Sequence, residues 1–154
     1  MHGSLTAEPG FAPQRTQNTA MFQLECIDHV ALLVRDVERS VRWYEEVLGL
    51  QRIFQEVWGS FPAVVGVGGT SLALFPVASP TPNPPPGRDT ICVRHIAFRV
   101  DEPNFQAAQE DLQRQGIPFR FQDHDAAHSI YFEDPDGHQL EITTYLVSSG
   151  PSAA

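Results

Sequence analysis

The chain contains no lysine. Its ten basic residues are all arginines, set against nineteen acidic ones, and the net charge is −9. That balance excludes a broad basic face, so neither nucleic acid nor an anionic membrane is an expected partner. A small-molecule site stays open, because a local site can differ in sign from the whole. Cysteine is scarce too: Cys26 and Cys92 are the only two. They make neither a disulfide framework nor a thiolate metal site, and a reduced cytoplasmic setting is the expectation. No apolar run approaches the roughly 18–20 residues of a membrane span. The first 22 residues lack a basic start followed by an apolar core, so no secretory signal is expected there.

What is present is enough for one domain with a real core: 154 residues, 42% of them hydrophobic. Residues 1–22 read as a flexible arm and 148–154 as a flexible tail. Between them, 23–147 divides into a first module (23–77), a proline-rich linker (78–90) and a second module (91–147). Leu24 to Val34 reads as a strand. Val37 to Leu48 has helical spacing, with Asp36 as N-cap and Gly49 as stop. Gln51 to Val57, Phe61 to Val67 and Thr70 to Val77 read as three short strands. After the linker the order recurs: strand from Ile91 to Val100, helix from Pro103 to Gln115, strands at Phe119 to Gln122, Ser129 to Glu133 and His138 to Tyr145. Asp134-Pro135-Asp136-Gly137 is the turn of the last hairpin.

The recurrence is an internal repeat. IDHVALLV laid over VRHIAFRV puts His29 on His95 and Cys26 on Cys92, at an offset of 66. GGTSLAL laid over PDGHQLEI puts Gly69 on Gly137, Leu72 on Leu140 and Ala73 on Glu141, at an offset of 68. The fold class is α+β: two βαβββ modules forming a cupped mixed sheet, with helices on the outer face.

Alternation along the strands then sorts the polar residues. His29 and His95 lie opposite the branched and aromatic positions that suit packing on a helix. Glu141 lies opposite Leu140 and Ile142. All three project toward the concave side. A carboxylate in mid-strand is rarely buried unless paired or bound to a metal. Two imidazoles and one carboxylate with open positions form a recurrent divalent-metal pattern, suited to Fe(II), Mn, Ni, Co or Zn.

IDHVALLVRDVERSVRWYEEVLGL resembles the opening of the vicinal oxygen chelate superfamily, which holds glyoxalases, extradiol dioxygenases, fosfomycin-resistance enzymes and bleomycin-binding proteins. VRHIAFRV and IYFEDPDGHQLEI resemble the start and end of its second module. The resemblance implies metal ligands at His29, His95 and Glu141. The fourth family position falls on Ala73, which has no donor atom. Tyr131, ten residues before Glu141, matches the place of an active-site tyrosine in extradiol dioxygenases. His124 and His128 are candidates for an acid/base or supporting histidine, with a surface position the favoured reading of each, and His138 is read as an exposed turn residue. Arg99, Phe54, Trp58 and Phe75 are candidate substrate contacts.

The resemblance implies a metal-dependent enzyme acting on a small organic substrate chelated through oxygen, with dioxygenase-like chemistry favoured because of Ala73 and Tyr131. The alternatives are a metal-dependent lyase, isomerase or thiol transferase, and a metal-free drug-binding protein of the bleomycin-resistance type. The absence of lysine, and of any arginine after Glu141, speaks against a phosphonate substrate. Relatives of this length pair as homodimers and often complete the cup between chains. Whether His29 meets the other two ligands within one chain or across two is left open.

Overall fold

The computed structural model describes residues 24–146. The expectations for the arm and the tail lie outside the described residues. Module one runs β1 (Val30–Val34), α1 (Val37–Leu48), β2 (Gln51–Ile53), α2 (Gln55–Trp58), β3 (Ala63–Val67) and β4 (Thr70–Pro76). Module two runs β5 (Ile96–Arg99), α3 (Glu102–Arg114), β6 (Arg120–Asp123), β7 (Ala127–Glu133) and β8 (Gln139–Tyr145). Each module folds its strands into one four-stranded sheet, in the orders β1-β4-β3-β2 and β5-β8-β7-β6. In both, the first and last strands pair in parallel and the remaining pairs are antiparallel.

The register confirms the repeat. Ala31 pairs with Ala73 across β1 and β4, and Ala97 pairs with Glu141 across β5 and β8. These are the columns that the two sequence offsets set against each other. The helices start and stop for local reasons. The Asp36 side chain accepts a 2.9 Å bond from Arg39 N, and Gly49 closes α1 in a left-handed turn at φ 67°. The Asp101 side chain does the same for α3, accepting from Asn104 N at 3.0 Å.

Three expectations need correction. Pairing begins only at Val30 and Ile96, so the stretches before them lie outside the sheets. β1 and β5 are edge strands with one neighbour each among the described residues. The expected strand from Gln51 to Val57 stops at Ile53. Phe54 takes a left-handed conformation at φ 60°, and the Gln-Glu-Val-Trp that follows makes one helical turn.

Both modules contribute to a single core. Leu32, Val34, Val41, Tyr44, Leu72 and Leu74 are continuous with Phe105, Leu112, Ile130, Phe132 and Leu140. Burying each large aliphatic side chain contributes about 1.5–3 kcal/mol. The modules are also tied by polar contacts between α1 and the β7–β8 turn. Tyr44 donates to Asp134 Oδ2 at 2.8 Å, while Arg35 and Arg39 reach Asp136 at 3.0 and 2.8 Å. Asp134 Oδ1 in turn accepts from the backbone of Asp136 and His138, which fixes the turn that leads into β8.

Candidate functional site

Strand register builds one side of the site. Arg120, Tyr131, Glu141 and Ala97 lie in one row across β6, β7, β8 and β5. Gln122, Ser129, Thr143 and Arg99 form the next row on the same face. His95 stands just before β5, and its Nε2 lies 2.9 Å from Glu141 Oε2. Glu141 is only 7% exposed. Its other oxygen accepts a 2.6 Å bond from the Ser129 hydroxyl, and Thr143 Oγ1 lies 3.1 Å beyond. The buried carboxylate thus has one fixed oxygen and one turned toward a histidine.

Tyr131 stands directly across from Glu141, with its ring edge-on to His95 at 5.7 Å between centroids. Partial burial, and then the negative charge of Glu141, push its phenol above the ordinary value of 10. Two side chains flank it. His124 Nε2 lies 3.1 Å from the Tyr131 hydroxyl, and the Arg120 guanidinium sits over the Tyr131 ring at 5.2 Å. His124 gets there through a tight turn: Asp125 is left-handed at φ 62°, and His124 N bonds Ala127 O at 2.9 Å.

Sheet one carries the other candidate. His29 stands just before β1, with Nδ1 2.7 Å from Asp28 Oδ2. Ala31 and Leu33 follow it on the face opposite buried Leu32 and Val34, and Leu33 pairs with Phe75. Phe75 packs edge-on against Phe61 at 5.6 Å. Phe54 and Trp58 pack at a tilt of 48°, with 4.9 Å between ring centroids, in and beside α2.

His95, Glu141 and Tyr131 are therefore brought together, and His29 is not brought to them within one chain. Among the described residues, no three His, Cys, Asp or Glu side chains lie close enough to hold a metal ion. Arg99 lies on the same face as Glu141, one row along β5. Its guanidinium lies over Tyr145 at 5.0 Å, along β8 away from Glu141. His138 is not free in its turn either, because its Nε2 bonds Leu33 O at 2.9 Å. His128 lies against Phe105 and Phe121, off the site face, as its parity requires. Arg120 is the residue that the sequence did not single out, and His124, for which the sequence favours a surface position, stands beside Tyr131. Only the cross-strand register of β6 on β7 sets Arg120 beside that ring.

The His95–Glu141 pair fits a metal. Two donors about 2.1 Å from one ion and at right angles to each other lie about 3 Å apart. The observed 2.9 Å needs almost no rearrangement. One imidazole nitrogen and one carboxylate oxygen suit a borderline divalent ion.

Residues 26–142 match the model of the Glyoxalase/Bleomycin resistance protein/Dioxygenase superfamily, and the chain belongs to that family. Among its relatives is "Glutathione transferase FosA" of Serratia marcescens, 31% identical over 77% of this chain and 80% of that one. Another is "Metallothiol transferase FosB" of Lysinibacillus sphaericus, 32% identical over 79% of this chain and 83% of that one. Among solved structures, fosfomycin resistance protein FosX of Mesorhizobium loti superposes with a TM-score of 0.60. It is 24% identical and covers 82% of this chain and 97% of that one, which establishes the fold. These relatives favour the thiol-transferase alternative and lend no support to the dioxygenase expectation. Among the described residues, no helix is long and apolar enough to cross a membrane.

Proposed function

We propose that this chain is a metal-dependent thiol transferase of the fosfomycin-resistance type, working as a homodimer. Each site would take His29 from one protomer and His95 and Glu141 from its partner. The observation that carries the reading is the 2.9 Å convergence of His95 Nε2 on the buried Glu141. The names of the relatives supply the reaction class, and the separation of His29 from the pair favours the shared site. Exposed apolar side chains beside both histidines, Ile27, Leu33, Ile91 and Val93, would be covered by such pairing.

A divalent ion held by these three side chains would act as a Lewis acid on a substrate oxygen. The remaining chemistry falls to the chain. In the transfer, a thiolate sulfur bonds to carbon as a carbon–oxygen bond breaks, and that oxygen takes up a proton. Tyr131 stands where its hydroxyl can hydrogen-bond a substrate oxygen, with His124 holding the phenol from behind. Ser129 keeps Glu141 in one rotamer. Arg120 answers the objection from missing lysines. Among the described residues it meets no acid within ion-pair distance, so its charge is open to an anionic group such as a phosphonate.

The test is to load the purified dimer with Mn(II), supply glutathione or L-cysteine with fosfomycin, and follow the thioether adduct by mass spectrometry. Adduct formation that is lost in His95→Ala and Glu141→Ala supports the reading. Stoichiometric metal binding with no adduct from either thiol rejects the transferase assignment. Failure to bind metal rejects the site itself.

A further inference from the structure

A ring nitrogen of histidine can bind a metal only through its lone pair, so the proton must sit on the other nitrogen. At His29 the structure shows what decides this. Nδ1 lies 2.7 Å from Asp28 Oδ2, so the proton belongs on Nδ1 and the lone pair on Nε2. Among the described residues, Asp28 Oδ2 has no other ion-pair partner. The residue is itself held from behind, because the Ser71 hydroxyl donates to the Asp28 carbonyl at 2.6 Å. Ser71 sits on β4, next to β1, and so ties Asp28 to the sheet that carries His29.

The repeat makes the arrangement particular to one module. The offset that sets His29 on His95 sets Asp28 on Arg94. One histidine therefore follows a carboxylate and the other follows a guanidinium. His95 turns its Nε2 to Glu141 instead. The two imidazoles are oriented by different means.

We infer that Asp28 is a positioning residue: it fixes the Nδ1–H form of His29, aims Nε2 at the metal and strengthens it as a donor. Carboxylates that hold the far nitrogen of a ligating histidine tune metal affinity by about 10–100-fold. This inference rests on the metal-site reading above, since it assigns Asp28 a task only if His29 is a ligand.

The experiment uses the metal-free full-length protein. Mn(II) affinity is measured by titration calorimetry for wild type, Asp28→Ala, Asp28→Asn and, as a control for lost charge, Glu110→Ala on the exposed side of α3. Asp28→Ala should weaken Mn(II) binding about 10–100-fold. Asp28→Asn should fall between, because its amide oxygen still accepts from Nδ1–H without the charge. Glu110→Ala should stay within about twofold of wild type. In the metal-free protein, ¹⁵N correlation spectra of the ring should show His29 protonated at Nδ1 in wild type, with that preference lost in Asp28→Ala. An Asp28→Ala affinity within twofold of wild type overturns the inference while leaving the metal site standing. Wild type that takes up no Mn(II) overturns both. Should Asp28→Ala fail to fold, Asp28→Asn decides by the same two readouts.

Discussion

Glu141 has two oxygens and each has a different partner: Ser129 holds one and His95 meets the other. That division is what the proposed metal site requires: one oxygen is already fixed and the other faces a second donor. On the proposed reading, Tyr131 beside it acts in the reaction and not in metal binding. Tyr131→Phe should therefore cut the thiol-transfer rate by about tenfold to a hundredfold, while Mn(II) affinity stays within about twofold. A parallel fall in affinity would make Tyr131 part of the metal scaffold. At this scale the sequence was informative where the repeat applied. His29, His95 and Glu141 stand out because each sits at a matched column, with Ala73 as the contrast. Arg120 and His124 have no such counterpart. The first needs the register of β6 on β7, and the second needs the left-handed Asp125 that bends the chain back toward Tyr131.

The β7–β8 hairpin is the element that aims the site. Its turn is specified by chemistry legible in Asp-Pro-Asp-Gly: Asp134 accepts from two backbone amides, and Gly137 takes φ 89°. A Cβ on Gly137 would also meet Pro85 Cγ of the linker at 3.1 Å. Gly137→Ala should cost about 1–2 kcal/mol by urea unfolding, for backbone strain and for displacing the linker. It should weaken Mn(II) binding as well, through the register of Glu141. A neutral result in both would show that the turn does not set that register. The helices were legible to within a residue or two, because caps and stops are local. The segment after Ile53 was not. Its residues suit either a strand or a helical turn, and the left-handed Phe54 that separates the two is invisible to periodicity.

As a whole, the molecule joins two similar modules through one apolar core and one buried acid cluster. Burial alone would push the Asp136 carboxyl up, but hydrogen bonds from Arg39 and Arg35 outweigh it and hold the carboxyl below its ordinary value of 3.8. A carboxyl depressed by folding stabilises the folded state above that value, and the gain is lost as pH falls through the lower, folded value. Wild type should therefore lose stability from about pH 4 downward. Asp136→Asn should be less stable by about 1–3 kcal/mol at neutral pH and should show a shallower acid loss. Urea midpoints measured across that range check both. Assembly is the level that the sequence could only pose as a question. A repeat says that two histidines are equivalent, but not which chain brings them together.

Two disabled variants decide whether the ligands come from two chains. In a shared site, a dimer of one His29→Ala protomer and one Glu141→Ala protomer carries both lesions in one site and leaves the other with His29, His95 and Glu141 intact. Neither variant alone should hold Mn(II) stoichiometrically. The mixed dimer, co-expressed with two tags and purified through both, should hold about one Mn(II) per dimer and recover thiol-transfer activity. A mixed dimer that binds no metal, from a wild type that binds it, would contradict a centre built from His29 of one protomer and His95 and Glu141 of its partner.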